Sequence, residues 1–369
     1  MIITFNISFL ICSTSFCKSN KTGWTSNDDM LLFYEAVVKI QENTLKSEAT
    51  RQMVYKAIRS YMLGQDLYSD YLSPKEYDKY RHSQSEQYSG VGMDIFNDHS
   101  GRIVCIPYQD GPASKAGVEY GDFLTFVDSH SVDGKSIFTV GSLIRGKTGT
   151  SVSLFFQNSK GATKQYSLRR QQIKFRSVIL QQSGKLLVLK IFRFTKDTTQ
   201  EIREILDKLI PGMTKVIDLR GNTGGDLFEA IDAASMFLSP GSKIIDFKSN
   251  KDIKEYKATN NPIDLDSQLF LWQDGLTASA AEVFITALVE NDRAVSIGKT
   301  SFGKGVAQNI VKLSDGSALF VTNGALRSPN GNYFHTKGLT PNYTVSINSS
   351  FSEEEYAIVT LDIIKSGKQ

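Results

Sequence analysis

The chain has 369 residues, 40% hydrophobic and 22% charged, with 42 Lys and Arg against 39 Asp and Glu for a formal charge of +3. At about 150 residues per domain that is two or three domains with a sizeable core, and the near-neutral balance is that of a globular protein rather than a nucleic-acid reader. Three cysteines (Cys12, Cys17, Cys105) and no Cys/His cluster at zinc spacing leave a disulfide framework or a structural metal unsupported.

In chain order, Ile2 to Phe16 is an apolar and small-residue stretch of signal-peptide length. Residues 1–22 are therefore read as a signal peptide, and the mature chain as exported to a periplasm or other extracytoplasmic compartment. Neither Cys12 nor Cys17 has a small residue directly before it, which argues against a lipid-anchored cysteine. Residues 23–85 read as a helical region, because Met30, Phe33, Tyr34 and Val37, then Met53, Ala57 and Tyr61, recur at three-to-four spacing, with Gly64 as a stop. Residues 86–172 change to short β-like runs (Ile103 to Tyr108, Phe123 to Val127, Val152 to Phe156) between glycine-containing turns, with a short helical piece near Ser114 to Ala116. Over residues 173–350, strand-like runs such as Leu186 to Phe192 and Val216 to Leu219 alternate with helical ones such as Leu227 to Leu238, the pattern of an α/β core. Residues 351–369 close the chain as a helix, with Ser352 and Glu355 in capping-box spacing and Gly367 after it.

Gly141-Ser-Leu-Ile-Arg-Gly146-Lys147-Thr148 matches the phosphate-loop pattern letter for letter. Its context fails, because such a loop opens a helix whose amides face the phosphates, whereas Gly149 and the strand-like Ser151 to Phe156 follow here. The run reads as a short helix, Val140 to Arg145, ending in a turn, and neither nucleotide nor nucleic acid is expected as a partner.

Four other features carry chemistry. The loop Gly90-Val91-Gly92-Met93 leads into a strand; consecutive amides in such a loop receive a carboxylate, and the strand edge pairs with an extended peptide. The strand Lys215 to Leu219 breaks at Gly224-Gly225 before an amphipathic helix, which exposes N–H groups suited to negative charge, although a plain strand-to-helix turn has the same pattern. Ser279 and Glu282, in Thr-Ala-Ser279-Ala-Ala-Glu282, have capping-box spacing before an apolar helix. The same geometry leaves the Ser279 hydroxyl in positive potential, with the Ala280 amide where an oxyanion would form. Among bases, His82, His99, His130 and His335 all read as surface or turn residues. Lys304, in Phe-Gly-Lys304-Gly-Val-Ala-Gln308, is flanked by glycines beside an apolar strand and could serve serine if burial lowers its pKa.

The order of these blocks resembles the C-terminal processing peptidases, also called tail-specific proteases, over about residues 30 to 346, and residues 86–172 within it resemble a PDZ domain. The resemblance implies a multidomain α/β fold: N-terminal helices, a PDZ-like β-rich domain, and a crotonase-like ββα peptidase core. It implies Ser279 as nucleophile, Lys304 as general base, Gln308 as support for the lysine, and an oxyanion hole from Ala280 with Gly224 or Gly225. Ser279 and Lys304 are 25 residues apart, the family separation. Ala281 stands where many members have serine and Thr223 where proline is usual, and neither change removes a group that performs chemistry. The implied partners are proteins or peptides with free, flexible C-termini, captured at Gly90 to Met93 without cofactor or metal; a homo-oligomer stays open. The alternative is a non-catalytic PDZ-type scaffold, which needs the loop and neither Ser279 nor Lys304. A hydrogen bond from Gln308 to Lys304 makes a geometric demand. Residues four apart on a strand lie about 13 Å apart, so Gly303 to Gln308 is expected to curl into a turn before a strand at Ile310 to Leu313.

Overall fold

Lys215–Asp218 and Leu269–Gln273 are buried at every position, as expected of parallel strands covered on both faces. In the computed structural model, which describes residues 27–45, 48–83, 88–158, 161–173, 176–210, 213–259, 262–345 and 353–367, these two strands are the middle of a six-stranded sheet. Its order is Val178–Ser183, Leu186–Ile191, Lys215–Asp218, Leu269–Gln273, Val295–Gly298, Tyr343–Thr344. The first pair is an antiparallel hairpin turned at Gly184, where φ is 57°, and every later pairing is parallel. Alternation along the strands divides the core. Leu189, Ile217 and Leu271 face the helices Thr198–Leu206, Leu227–Ser235 and Ala280–Val289. Val188, Val216, Phe270 and Trp272 face the closing helix Glu353–Ser366 through Tyr356 and Ile363. Each fully buried aliphatic side chain here contributes about 1.5–3 kcal/mol relative to exposure.

A second sheet holds Asp70–Leu72, Ala318–Arg327, Lys243–Ser249 and Ile253–Lys257 in that order, with Val306–Lys312 also paired to Ala318–Arg327. The β-rich module is a third sheet, ordered Met93–Asn97, Ile103–Pro107, Phe123–Val127, Ser151–Gln157, Thr163–Arg169, all antiparallel. Val152, Leu154 and Phe156 alternate inward from one strand of it. Helix Ile137–Ile144 lies across it, capped by Ser136, whose hydroxyl accepts from the Thr139 N–H at 3.3 Å. The Gly141 to Thr148 run closes this helix instead of opening one: Gly146–Lys147 pairs with Tyr88–Ser89, and a strand follows.

The chain divides into two compact units, Met1–Ala57 and Ile58–Gln369. The first contains helix Asn27–Asn43 and the start of Thr50–Leu63, so both helices expected there form. The stripe of the first helix is largely exposed, with Met30 and Tyr34 63% and 66% exposed, Phe33 exposed and Val37 covered, whereas on the second Met53 and Ala57 are half-buried and Tyr61 is exposed. The periodicity records a face suited to burial, and it does not supply the surface that covers it. Helix Pro74–Ser83 falls within the region read as helical but carries no apolar stripe of its own in the sequence, because half of its residues are charged and its inward face is Tyr77 and Tyr80. The signal-peptide reading of residues 1–22, with Cys12 and Cys17, and the cap at Ser352 lie outside the described residues. Gly367 ends the last helix with φ 64°, the left-handed stop that glycine permits. Among the described residues no helix is long and apolar enough to cross a membrane.

Candidate active site

Ser279 follows the end of strand Leu269–Gln273 and precedes helix Ala280–Val289 with φ 58° and ψ −121°, outside the extended conformation usual for a helix cap. A non-glycine residue held there costs about 1–3 kcal/mol and persists only where its surroundings over-determine it. They do here. The Ser279 N–H donates to Glu282 Oε2 at 2.8 Å, and the preceding Ala278 N–H to the Asn222 carbonyl at 2.9 Å. Asp274 Oδ1 accepts from the N–H groups of Leu276 and Thr277 at 3.0 Å each and from that of Gly221 at 3.1 Å. The half-buried Ser279 side chain therefore stands at the positive end of a helix buried from Ala280 to Leu288.

The turn between Lys215–Asp218 and helix Leu227–Ser235 lies against it. A Cβ on Gly224 would fall 2.8 Å from the Ser279 Cβ and 2.9 Å from the Ala280 nitrogen, and one on Gly225 would fall 2.0 Å from the Phe194 carbonyl oxygen. Both residues have positive φ, 104° and 134°, so only glycine fits on either count. The three amides expected for an oxyanion hole differ in their partners. The Gly224 N–H is already donated to Asn222 Oδ1 at 2.8 Å, an interaction between near neighbours that the glycine pattern does not reveal. Among the described residues, the amides of Gly225 and Ala280 have no such partner.

Lys304 reaches the site on residues 301–305, a stretch without regular secondary structure. One carboxylate ties it down. Glu282 Oε1 accepts from the Ser301 hydroxyl at 2.5 Å and the Gly303 N–H at 2.6 Å, while Oε2 accepts from the Lys304 N–H at 2.8 Å as well as from Ser279. Burial raises Glu282 to about 7 despite four donors, and burial, with the positive Arg193 second, lowers Lys304 to about 8. Gly303 has φ 88°, and a Cβ there would lie 2.6 Å from the Gly338 nitrogen.

Gln308 is not where a turn would put it. The strand begins at Val306 rather than Ile310, so Gln308 lies on it, opposite Thr322, beside a register shift at Ala307. The chain departs from extended geometry at Gly303 and at that irregularity, with no helical turn between them. Gln308 Nε2 is buried without a hydrogen-bond partner. His335 lies in a turn, as read, but is half-buried there, with Nδ1 3.2 Å from the Gly303 carbonyl oxygen, because the 334–338 turn folds back onto the lysine loop. Two residues unnoticed in the sequence complete the surroundings. Arg193 pairs with Asp94 at 2.5 Å, and the Tyr68 ring lies under the Lys304 ammonium. Both come from distant segments and carry no local pattern.

Gly90 to Met93 borders a cavity of about 620 Å³, which the Arg193 and Asp94 pair also lines, together with Ile137, Phe138, Ile144 and Arg145. The loop is pinned by reciprocal backbone bonds between Gly90 and Gln171 (3.1 and 2.9 Å) and by the Ala113 N–H on the Val91 carbonyl at 2.8 Å. At Gly92, φ is 70° and a Cβ would lie 2.8 Å from the Pro112 ring. The strand after this loop touches the lysine loop: Phe96 meets Phe302 edge-on at 4.4 Å, and His99 stacks on the same ring at 4.1 Å. Among the described residues no group of acidic, His or Cys side chains is arranged to hold a metal.

The profile of peptidase family S41 matches residues 185–345. A probable CtpA-like serine protease of Staphylococcus aureus is 31% identical over 347 residues, 92% of this chain and 68% of that protein. The chain belongs to peptidase family S41. A probable CtpA-like serine protease of Staphylococcus epidermidis is 32% identical over 312 residues, and the match spans 83% of this chain and 63%, just under two thirds, of that relative. The solved structure of the photosystem II D1 C-terminal processing protease superposes with a TM-score of 0.71 at 26% identity, over 87% of this chain and 94% of that one.

Proposed function

We propose that the chain is an ATP-independent serine endopeptidase that cleaves proteins near or from their C-terminal tails through a Ser279/Lys304 dyad. The observation that carries the reading is the Glu282 carboxylate, which holds the backbone of Ser279 and of Lys304 at once, at 2.8 Å each. Neutral Lys304 takes the hydroxyl proton as Ser279 Oγ attacks the scissile carbonyl. The oxygen that becomes negative receives the Ala280 and Gly225 amides, where donors aimed at developing charge act in a water-poor site. The Lys304 ammonium then protonates the leaving amine, and the acyl-serine ester is hydrolysed by water activated by the same amine. Gln308 supports the lysine once the amine turns toward it.

The β-rich module is read as PDZ-like and the six-stranded core as crotonase-like. A substrate tail adds as a strand beside Met93–Asn97, with its terminal carboxylate on the amides of Gly90 to Met93. Export, read from residues 1–22, puts the enzyme in an extracytoplasmic compartment. The test is incubation of the full chain with casein, an unstructured protein, without nucleotide. Wild type is expected to produce fragments and Ser279→Ala none. Absence of cleavage by both, with peptide binding retained, would favour a scaffold over an enzyme.

A further inference from the structure

The geometry points to Tyr68 as a positioning residue of the dyad, whose ring face docks the Lys304 ammonium and favours its protonated, waiting form. The inference rests on the proposed role of Lys304. The Lys304 Nζ lies 4.7 Å from the Tyr68 ring centroid, inside the range of about 6 Å over which an aromatic face attracts a cation. Among the described residues Nζ has no hydrogen bond and no carboxylate at ion-pair distance, and Gln308 Nε2 is buried and unpaired. The ring therefore takes the place of the amide.

The ring is built into position. Asp66 Oδ1 accepts from the N–H groups of Tyr68 and Ser69 at 2.7 Å each and from the Thr322 hydroxyl at 3.1 Å, while Oδ2 accepts from the Ser69 hydroxyl at 2.8 Å. The Thr322 N–H donates back to Ser69 Oγ at 3.1 Å. Thr322 is the cross-strand partner of Gln308, so the segment bearing the ring is hooked to the strand opposite the amide. The ring also meets the His335 ring, tilted, at 6.1 Å between centroids, and Asp70–Leu72 then joins the sheet. Burial, reinforced by Glu282 and Asp66, pushes the Tyr68 hydroxyl up to about 12, so it stays neutral and does not compete as a base.

A ring face attracts the ammonium and gains little from the neutral amine, so docking and the proton are linked. Loss of the proton frees the amine for Ser279 and Gln308. Removing the ring while keeping the bulk should lower the pKa of Lys304.

The test is competitive acetylation of the full chain with acetic anhydride across pH, reading Lys304 by peptide mass, which requires no peptidase activity. Wild type is expected to show a midpoint near 8. Tyr68→Leu is expected to shift it down by about half a unit to one unit, and Tyr68→Phe, which keeps the ring, by much less. The acid limb of kcat/KM on casein should move in parallel. A fluorinated phenylalanine at position 68, which keeps the shape and drains the negative face, asks the same question if the leucine variant does not fold. Equal midpoints in all variants, or a shift in Tyr68→Phe as large as in Tyr68→Leu, would overturn the inference. Shifted midpoints in a chain that cleaves nothing would uphold the docking and count against the peptidase reading.

Discussion

Ser279 begins a helix buried along nearly its whole length, and its own strained backbone is locked by hydrogen bonds, whereas Lys304 rides on an irregular loop with its backbone held and its amine resting on a ring. The half proposed to supply the nucleophile is finished: the Ser279 amide, its helix and the adjoining glycine turn are all tied down. The half proposed to supply the base is incomplete, since Gln308 Nε2 is buried without a hydrogen bond to the lysine. Because Glu282 joins the halves through the Ser279, Gly303 and Lys304 backbone and the Ser301 hydroxyl, and not through the Lys304 amine, the resting site can be rigid around the serine while the lysine side chain changes partners.

The largest effect is expected from removing the proposed base. Lys304→Ala should keep its fold and lose about 10²–10⁴-fold in kcat on casein, the usual share of general acid–base catalysis, with KM little changed. Substantial activity would mean that the incomplete half contributes no chemistry.

Next comes the joint itself. Glu282→Gln puts an amide NH₂ against backbone donors in a fully buried site, so the variant should lose about 2–4 kcal/mol of stability in urea denaturation and most of its activity. An unchanged midpoint with full activity would show that the halves are aligned by something other than this carboxylate.

The pH dependence sharpens the contrast. The proposed mechanism requires the neutral amine, so kcat/KM should rise with pH through about 8. The same depressed lysine has a stability signature. Between about 8 and its ordinary 10.5 the unfolded chain holds a proton that the folded chain has released. Stability from this group therefore increases with pH across that window. Lys304→Met should remove the increment, measured as urea midpoints at pH 8 and pH 10.

The smallest effect should come from His335→Ala. The Gly303 carbonyl still accepts from the Thr336 N–H at 2.8 Å, so the lysine loop keeps a tie and the expected loss in kcat is less than about threefold. A dead but folded variant would move the base from lysine to histidine.

What was legible in the sequence is what local spacing controls. Strand Leu186–Ile191 reads as a largely apolar run, and Ser279 with Glu282 reads as the start of a helix, because both patterns span only a few residues. The reach of Glu282 across to Ser301, Gly303 and Lys304 was not legible, since it depends on how two distant loops pack. Tyr68 left no signal for the same reason: its segment is held by Asp66 and Thr322, more than 250 residues apart in the chain. Gln308 could be named from the resemblance, yet its geometry was misjudged because the strand starts four residues earlier than its apolar pattern suggests.

The most direct measurement is reaction of the purified chain with a fluorophosphonate probe across pH, followed by intact mass and peptide mapping. A single adduct on Ser279 is predicted, forming at a rate that rises through about pH 8 and nearly absent in Lys304→Ala. Labelling of Lys304→Ala at the wild-type rate, or an adduct on a different residue in a chain that cleaves casein, would contradict a serine activated by this lysine.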